Sequence, residues 1–186
     1  MTLSTLPILI ALGANLPSKL GPPEATLTSA IAELSGVDIE VTAISQFYRT
    51  KPVPVSDQPD FINAAARLET KLDAHELLER LHDLEEQFGR QRIKKWEARV
   101  LDLDLIAYRD QVSPDCWPEK HEEGSQQKPL IVPHPRLHER AFVLVPLRDI
   151  VLDWQHPVFG ESIAEMLGKL PDFEAPQMLD FKPYDS

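Results

Sequence analysis

Asp102 and Asp104 stand two residues apart in the run RVLDLDLIAY. In a strand, residues i and i+2 share a face, so both carboxylates point the same way, with their Cα atoms roughly 7 Å apart. Leu101, Leu103 and Leu105 take the other face. Aspartate is depleted in strands, and two on one face repel unless a cation joins them. Just upstream, residues 90 to 99 carry Arg90, Arg92, Lys94, Lys95 and Arg99 against one acid, Glu97. On spacing alone the aspartates have two readings: solvent-facing strand residues matched by nearby arginines, or ligands of a hard cation. The basic stretch favours the second. Paired carboxylates for Mg²⁺ beside guanidinium forks for phosphate suggest magnesium-dependent phosphoryl chemistry. No His or Cys lies beside the pair in sequence, which disfavours zinc.

Other residues have the same double reading. Phe61 and Asn63 share a strand face; they are core residues, or a stacking surface and an amide for a heterocycle's edge. Phe142, in AFVLVPL, reads as core or as a second wall. His134 lies in a P-H-P turn, either structural or a rigid neighbour of phosphate or metal. His82 and Glu85, three apart on a helix, read as a polar surface pair. There is no G-x-x-x-x-G-K-[ST], no G-x-G-x-x-G, no G-x-S-x-G and no kinase signature set, so a bound nucleotide must be held another way.

These residues need elements to position them. Ile8 to Leu12 reads as a buried strand ending at Gly13. Pro22 and Pro23 start a helix with an apolar stripe Leu27, Ala30, Ile31, Leu34, and Gly36 is its expected left-handed stop. A second strand is expected from about Val37 to Tyr48, with a bulge near Ala43 and Ile44 where alternation slips. The triple-proline run Lys51 to Pro59 is a loop. A third strand covers Phe61 to Glu69. Asp73 and Glu76 form a capping box for a helix striped by Leu77, Leu78, Leu81, Leu84 and Phe88, ending at Gly89. The basic loop and the aspartate strand, Val100 to Tyr108, follow. Then come a polar excursion over about 110–129, a short strand Leu130 to Val132, and short helical pieces over Arg136 to Ile150 interrupted near Pro146. A capped helix runs from Ser162 to about Leu170, and a loosely attached tail covers about 171–186.

Strand, helix, strand, strand, helix, strand is the ferredoxin-like order, so the expected fold is α/β (α+β): an antiparallel sheet with helices packed on it, elaborated by further short elements. The 186 residues suit one domain spanning 1–186. Apolar residues make up 42% of the chain and charged residues 26%, as in soluble globular proteins. A net charge of −11 argues against general nucleic-acid binding and anionic membranes. A small basic island in an acidic chain suits a compact polyanion such as a nucleotide. One cysteine, Cys116, excludes an intrachain disulfide. No signal peptide or membrane span is signalled, and a cytoplasmic protein is the expectation.

Six strings in order, ALGAN, FYRTKP, QPDFINAAARLET, LEEQFGR, RVLDLDLI and VPHPRLHERAFVLVPL, resemble the 6-hydroxymethyl-7,8-dihydropterin pyrophosphokinase family of folate biosynthesis. The resemblance runs from about Ile8 to Ile150. It implies transfer of diphosphate from ATP to the hydroxymethyl group of a reduced pterin, with release of AMP, on an elaborated ferredoxin-like fold. It implies two Mg²⁺ ions on Asp102 and Asp104, and pterin stacked between Phe61 and Phe142 and read by Asn63, with backbone near Thr50 and Val53 completing the pocket. Around the ATP it implies Arg90, Arg99, Arg140, His134 and Glu85. The partners expected are these small molecules, with no nucleic acid and no membrane, and the chain is expected to act as a monomer. Departures are Phe61 where many members carry Tyr, Glu97 and Ala98 where Gly-Pro is common, a basic loop one residue shorter, and His82 in place of Gln. Pro129 and Ile131 stand where some members have Arg and Thr. Residues 113–128 and those after Asp153 have no assigned counterpart.

A ferredoxin-like regulatory module without a pterin pocket is the alternative of another class, distinguished by binding nucleotide but no pterin. A metal-dependent phosphohydrolase on the same aspartates would release phosphate or pyrophosphate from ATP without an acceptor.

Overall fold

The computed structural model describes residues 6–89, 99–118, 130–171 and 175–180. Arg90, the rest of the basic stretch through Ala98, residues 119–129 and the last six residues lie outside them. The expected order holds. Strand β1 (Ile8–Ala14) leads to helix α1 (Pro23–Leu34), strands β2 (Ile39–Ile44) and β3 (Tyr48–Thr50), strand β4 (Phe61–Thr70), helix α2 (Ala74–Gln87) and strand β5 (Asp102–Tyr108). Helices α3 (Ala141–Ile150) and α4 (Ile163–Lys169) and a short strand β6 (Gln177–Met178) follow. The sheet runs β5-β1-β4-β3-β6, with β2 also on β4 and every pairing antiparallel.

The two sheet faces have different work, and register assigns each residue to one. Ile8, Ile10, Leu12, Ile62, Ala64, Ala66, Leu68, Leu103 and Leu105 form one face and join the stripes of α1 and α2 in the larger core. The opposite face starts apolar: Leu9, Ala65 and Ala107 pack with Val143, Leu144 and Leu147 of α3 in a second core. Further along the strands that face turns polar, with Gly13 opposite both Asn63 and Asp102, and Ala11 opposite both Ala65 and Asp104. Phe61 and Thr50 are also direct partners. Directly paired residues project on one side, so Thr50, Phe61, Asn63, Asp102 and Asp104 all occupy the face away from α1 and α2.

Several local expectations are corrected. Helix α1 ends without a left-handed glycine: Ser35 caps it in an extended conformation, and the Gly36 N–H donates to Ile39 O at 2.9 Å. The single strand over 37–48 is two strands, because the register slips between Val41 and Ala43 and the Ser45 hydroxyl takes over the Ala65 N–H at 2.9 Å. Helix α3 runs through Pro146 unbroken. Proline removes one donor there, but burial of Val143 to Leu147 holds the turn. Leu130 to Val132 makes one bridge, Val132 with Ser113, rather than a strand. The tail is partly tied down, since Gln177–Met178 pairs with β3. Both capping boxes, Asp73 with Glu76 and Ser162 with Glu165, form as expected.

The start of the excursion after β5 is anchored too. Trp117 Nε1 donates to Pro133 O at 2.7 Å, next to His134. Its ring meets His156 edge-on at 5.6 Å, and His156 stacks on Phe159 at 4.3 Å. His156 is fully buried, and its Nδ1 accepts the Val158 and Phe159 N–H groups at 3.2 and 3.3 Å. Burial, helped by His138 and opposed by Glu161, pushes its pKa down to about 4. Below its ordinary value of 6.5 the unfolded chain binds a proton that the folded chain refuses. Stability from this group is therefore present above pH 6.5 and lost as pH falls toward 4, roughly 3 kcal/mol in full. Urea unfolding between pH 7 and 4 should show that slope, and His156→Asn, which keeps an acceptor but cannot titrate, should flatten it.

Candidate active site

The aspartate strand lies at the sheet edge, and its like charges are neutralised pairwise. Arg99 Nη1 is hydrogen-bonded to Asp102 Oδ2. Arg140 Nη1 lies 3.8 Å from Asp104 Oδ2. Asp104 remains 39% exposed along its side chain and Asp102 21%, so both carboxylates reach the open part of the face. Burial lowers the Arg140 pKa from its ordinary value, while Asp104 and Asp102 oppose that. The Arg140 guanidinium also covers the Phe142 ring, 5.6 Å from its centroid, a cation–π arrangement. Phe142 is thereby placed on the same side as Asp104.

His134 joins them through a bulge. Ile106 is the extra residue of β5, where the register slips between Leu9 and Ile10. Its carbonyl accepts the His134 N–H at 2.8 Å. Burial, then the nearby Arg140 charge, pushes the His134 pKa down to about 4, with Asp102 opposing. The imidazole is neutral at pH 7. Its Nδ1 accepts the Arg136 N–H at 3.2 Å, which leaves the proton on Nε2 as a donor.

On the other side of Gly13 stands Asn63. Its Nδ2 donates to Thr50 Oγ1 at 2.8 Å, which fixes the amide's orientation. A Cβ on Gly13 would lie 3.3 Å from Asn63 Oδ1. The glycine thus keeps the floor flat between the amide and Asp102. Phe61 begins β4 next to Thr50 and is half-buried. Val53 is 64% exposed in the loop before β4, so its side chain contributes no wall.

Glu85 departs from the sequence reading of a polar helix face. It is 1% exposed. Its Oε1 accepts the Leu103 N–H at 2.8 Å, a strand donor on the outer edge of β5, midway between the two aspartates. Only the tertiary edge explains that, because helical spacing marks the position as polar. Glu85→Ala should cost about 2–4 kcal/mol in urea unfolding, through a buried unpaired N–H and the space left. Glu85→Gln, which keeps an acceptor, should lose less than half of that.

Sequence reasoning gives no role to Asn15, although ALGAN contains it. It is 1% exposed. Its Oδ1 accepts the Arg99 N–H at 2.6 Å, and its Nδ2 donates to Gln58 Oε1 and Pro59 O, both at 3.2 Å. Tyr48 is a second residue that the sequence does not mark. Its hydroxyl donates to Asp149 at 2.9 Å, and burial and that carboxylate raise its pKa to about 12. This bond fastens α3 to β3 and so fixes how much of the face α3 covers.

Among the described residues no group of three His, Cys, Asp or Glu side chains could hold a metal ion. Two half-open carboxylates with oxygen donors nonetheless fit Mg²⁺, which takes few protein ligands and fills its octahedron with water and phosphate oxygens. Among those residues no helix is long and apolar enough to cross a membrane.

Residues 9–152 match the model of the family described as 7,8-dihydro-6-hydroxymethylpterin-pyrophosphokinase. The chain is 40% identical over 159 residues to the 2-amino-4-hydroxy-6-hydroxymethyldihydropteridine pyrophosphokinase of Synechocystis, covering 85% of this chain and 73% of that one. It is 36% identical over 163 residues to the enzyme of that name from Haemophilus influenzae, covering 88% and 92%. The fold is shared with the crystal structure of Plasmodium falciparum HPPK-DHPS at a TM-score of 0.63 and 14% identity; the match covers 88% of this chain but only 43% of that longer one. The family match spans the strands and helices that carry Asn63, Asp102, Asp104 and Arg140, and on it the chain belongs to the 7,8-dihydro-6-hydroxymethylpterin-pyrophosphokinase family.

Proposed function

We propose that the chain transfers diphosphate from ATP to 6-hydroxymethyl-7,8-dihydropterin in folate biosynthesis, with the open polar face of the sheet as its active site. The observation that carries this is the row Asp102, Gly13, Asn63 across three strands. It sets anionic ligands and a heterocycle-reading amide on one face with a flat floor between them. Neighbouring strands are about 5 Å apart, so the two ends lie on the order of 10 Å from each other. A pterin held at Asn63 would reach the phosphates with its hydroxymethyl arm.

In this reading Phe61 and Phe142 stack the pterin, Asn63 and the backbone near Thr50 and Val53 read its edge, and Thr50 holds the amide in the orientation used. The supports are the shared face of Phe61, Asn63 and Thr50 and the location of Phe142 beside Arg140. Arg99, Arg140 and the His134 Nε2–H bind phosphate oxygens, and Arg90 is assigned there on the family resemblance. Glu85 serves the nucleotide side indirectly, by fixing the β5 edge between the aspartates. Asp102 and Asp104 would hold two Mg²⁺ ions, which when bound neutralise phosphate charge and acidify the attacking hydroxyl.

The pterin hydroxyl oxygen forms a bond to the β-phosphorus, the bond from that phosphorus to the α-phosphate's bridging oxygen breaks, and AMP leaves. The hydroxyl proton passes to solvent. Side chains act by holding the two substrates in line and by offsetting charge. The same small-molecule partners suit a cytoplasmic monomer.

Incubation with ATP, MgCl₂ and hydroxymethyldihydropterin should yield AMP and the pterin diphosphate in equal amounts. ADP as the nucleotide product, or phosphate release without the pterin, would overturn the assignment.

A further inference from the structure

At the end of the sheet where β1 begins, two arginines line one cavity far from the polar face described above. Ile8 pairs there with Leu68 of β4 and Tyr108 of β5, whereas Gly13 pairs with Asn63 and Asp102. Strand rise separates these two levels by about 17 Å. The cavity has a volume of about 360 Å³, and its lining includes Leu6, Pro7, Arg67, Glu69, Thr70 and Arg109.

Both arginines are placed at a cost that the fold does not repay. The chain carries 30 Asp and Glu against 19 Lys and Arg, so carboxylates are plentiful, yet neither arginine makes an ion pair among the described residues. Arg67 stands in β4 between its direct partners Leu9 and Ala43, whose side chains offer no acceptor. Its Nε is buried without a hydrogen-bond partner among the described residues, which is unfavourable for a charged donor. Arg109 has φ of 56°, and among the described residues it is the one non-glycine with positive φ. That conformation is strained for a residue with a Cβ. The turn holds the guanidinium over the Tyr108 ring, 5.3 Å from its centroid, and the Arg109 N–H donates to Pro7 O at 2.9 Å. Stacking on a ring face leaves the in-plane N–H donors of a guanidinium free.

We propose that Arg67 and Arg109 form a second ligand site, which takes a small monocarboxylate with an apolar body. Two guanidiniums supply the planar forks that match a carboxylate. Leu6 and Pro7 supply an apolar wall beside them. Glu69 lines the same cavity and sets the limit on charge: its carboxylate repels a polyanion such as a nucleotide and tolerates a single negative charge. The volume is at the small end of ligand pockets. The site is separate from the aspartate strand and does not depend on the functional reading above.

The test titrates the full chain with benzoate at neutral pH and follows backbone amides by ¹H–¹⁵N correlation NMR. Saturable shifts are expected at Ile8, Arg67, Glu69, Thr70 and Arg109, with a Kd of about 1 mM for so small a probe. Asn63, Asp102 and Asp104 should not move. Arg67→Gln and Arg109→Gly should each weaken binding about tenfold, through loss of one charged fork. Glycine also relieves the positive φ at residue 109, so Arg109→Gly should raise the melting temperature while it loses the ligand, a combination that a merely structural arginine would not give. Inorganic phosphate, as the second arm, should bind about fivefold more weakly because it cannot use the apolar wall. Shifts at Asn63 or Asp102 instead, no saturation by about 10 mM, unchanged affinity in either variant, or phosphate bound as tightly as benzoate would overturn the proposal. Should the glutamine variant fail to fold, Arg67→Lys keeps the strand's charge without the fork and should weaken benzoate about fivefold; unchanged affinity there would count equally against the site.

Discussion

Asp104→Ala should lower the rate of AMP formation by roughly a thousandfold or more while leaving the protein folded. The magnitude follows from the proposed role. A charged ligand that positions and neutralises phosphates in a partly dry site acts on the transition state, and losing even one preorganised electrostatic partner costs about 10²–10³. Stability should change by no more than about 1 kcal/mol. The side chain is 39% exposed, and its partner Arg140 is 3.8 Å away rather than in a tight fork; such pairs contribute little. The substitution also removes one of two like charges from a strand face that disfavours aspartate. Asp104→Asn tests charge against shape and should be nearly as slow. Asp102→Ala should be comparably slow but less innocent structurally, because it removes the carboxylate paired with Arg99. Retention of wild-type turnover by either variant would remove the aspartates from the mechanism. A large loss of thermal stability would mean the pair is structural.

Strand faces are legible in this sequence and strand edges are not, for a physical reason. Period-two alternation is a local property, so the spacing alone assigns Leu103 and Leu105 to one face and Asp102 and Asp104 to the other. The same reasoning puts Phe61 with Asn63. What periodicity does not encode is which strand lies at the edge and what then satisfies its outward N–H groups. Glu85 reads as solvated on helix α2 and is instead buried against Leu103. The bulge at Ile106, which holds His134, leaves no mark in LDLIAY. Asn15 lies inside one of the strings that carry the family resemblance, but an Asn near a Gly reads as turn chemistry. Its side-chain partners are more than 40 residues away along the chain. Long-range polar satisfaction is where one-dimensional patterns end.

The segments after β5 repeat the lesson in reverse. Composition reads 110–129 and the tail as loose, because Pro, Glu and Gln do not build a core. Yet Trp117 is a single aromatic in the first of them, and it packs with His156 and Phe159 and hydrogen-bonds Pro133. In the tail two residues suffice to extend β3. One good contact outweighs a window average where the partner is already rigid.

Arg99→Ala is expected to slow the chemical step by about a hundredfold to a thousandfold with little change in pterin affinity, on the scale of one lost electrostatic partner. The reason lies in how the residue divides. Its backbone N–H and carbonyl are held by Asn15 and Leu16, and alanine preserves both groups. Only the guanidinium is lost, so the bridge to the pterin side survives and the effect is confined to charge near Asp102. Without that guanidinium the strand face carries more net negative charge beside the phosphates, which opposes both nucleotide binding and charge development in transfer. Arg99→Lys should recover part of the rate, since it restores the charge without the planar fork. Single-turnover rates with bound ATP, set beside calorimetric pterin affinities, separate the two effects. If Arg99→Ala weakened only pterin binding, the guanidinium would belong to the pterin side and its assignment to phosphate would be wrong.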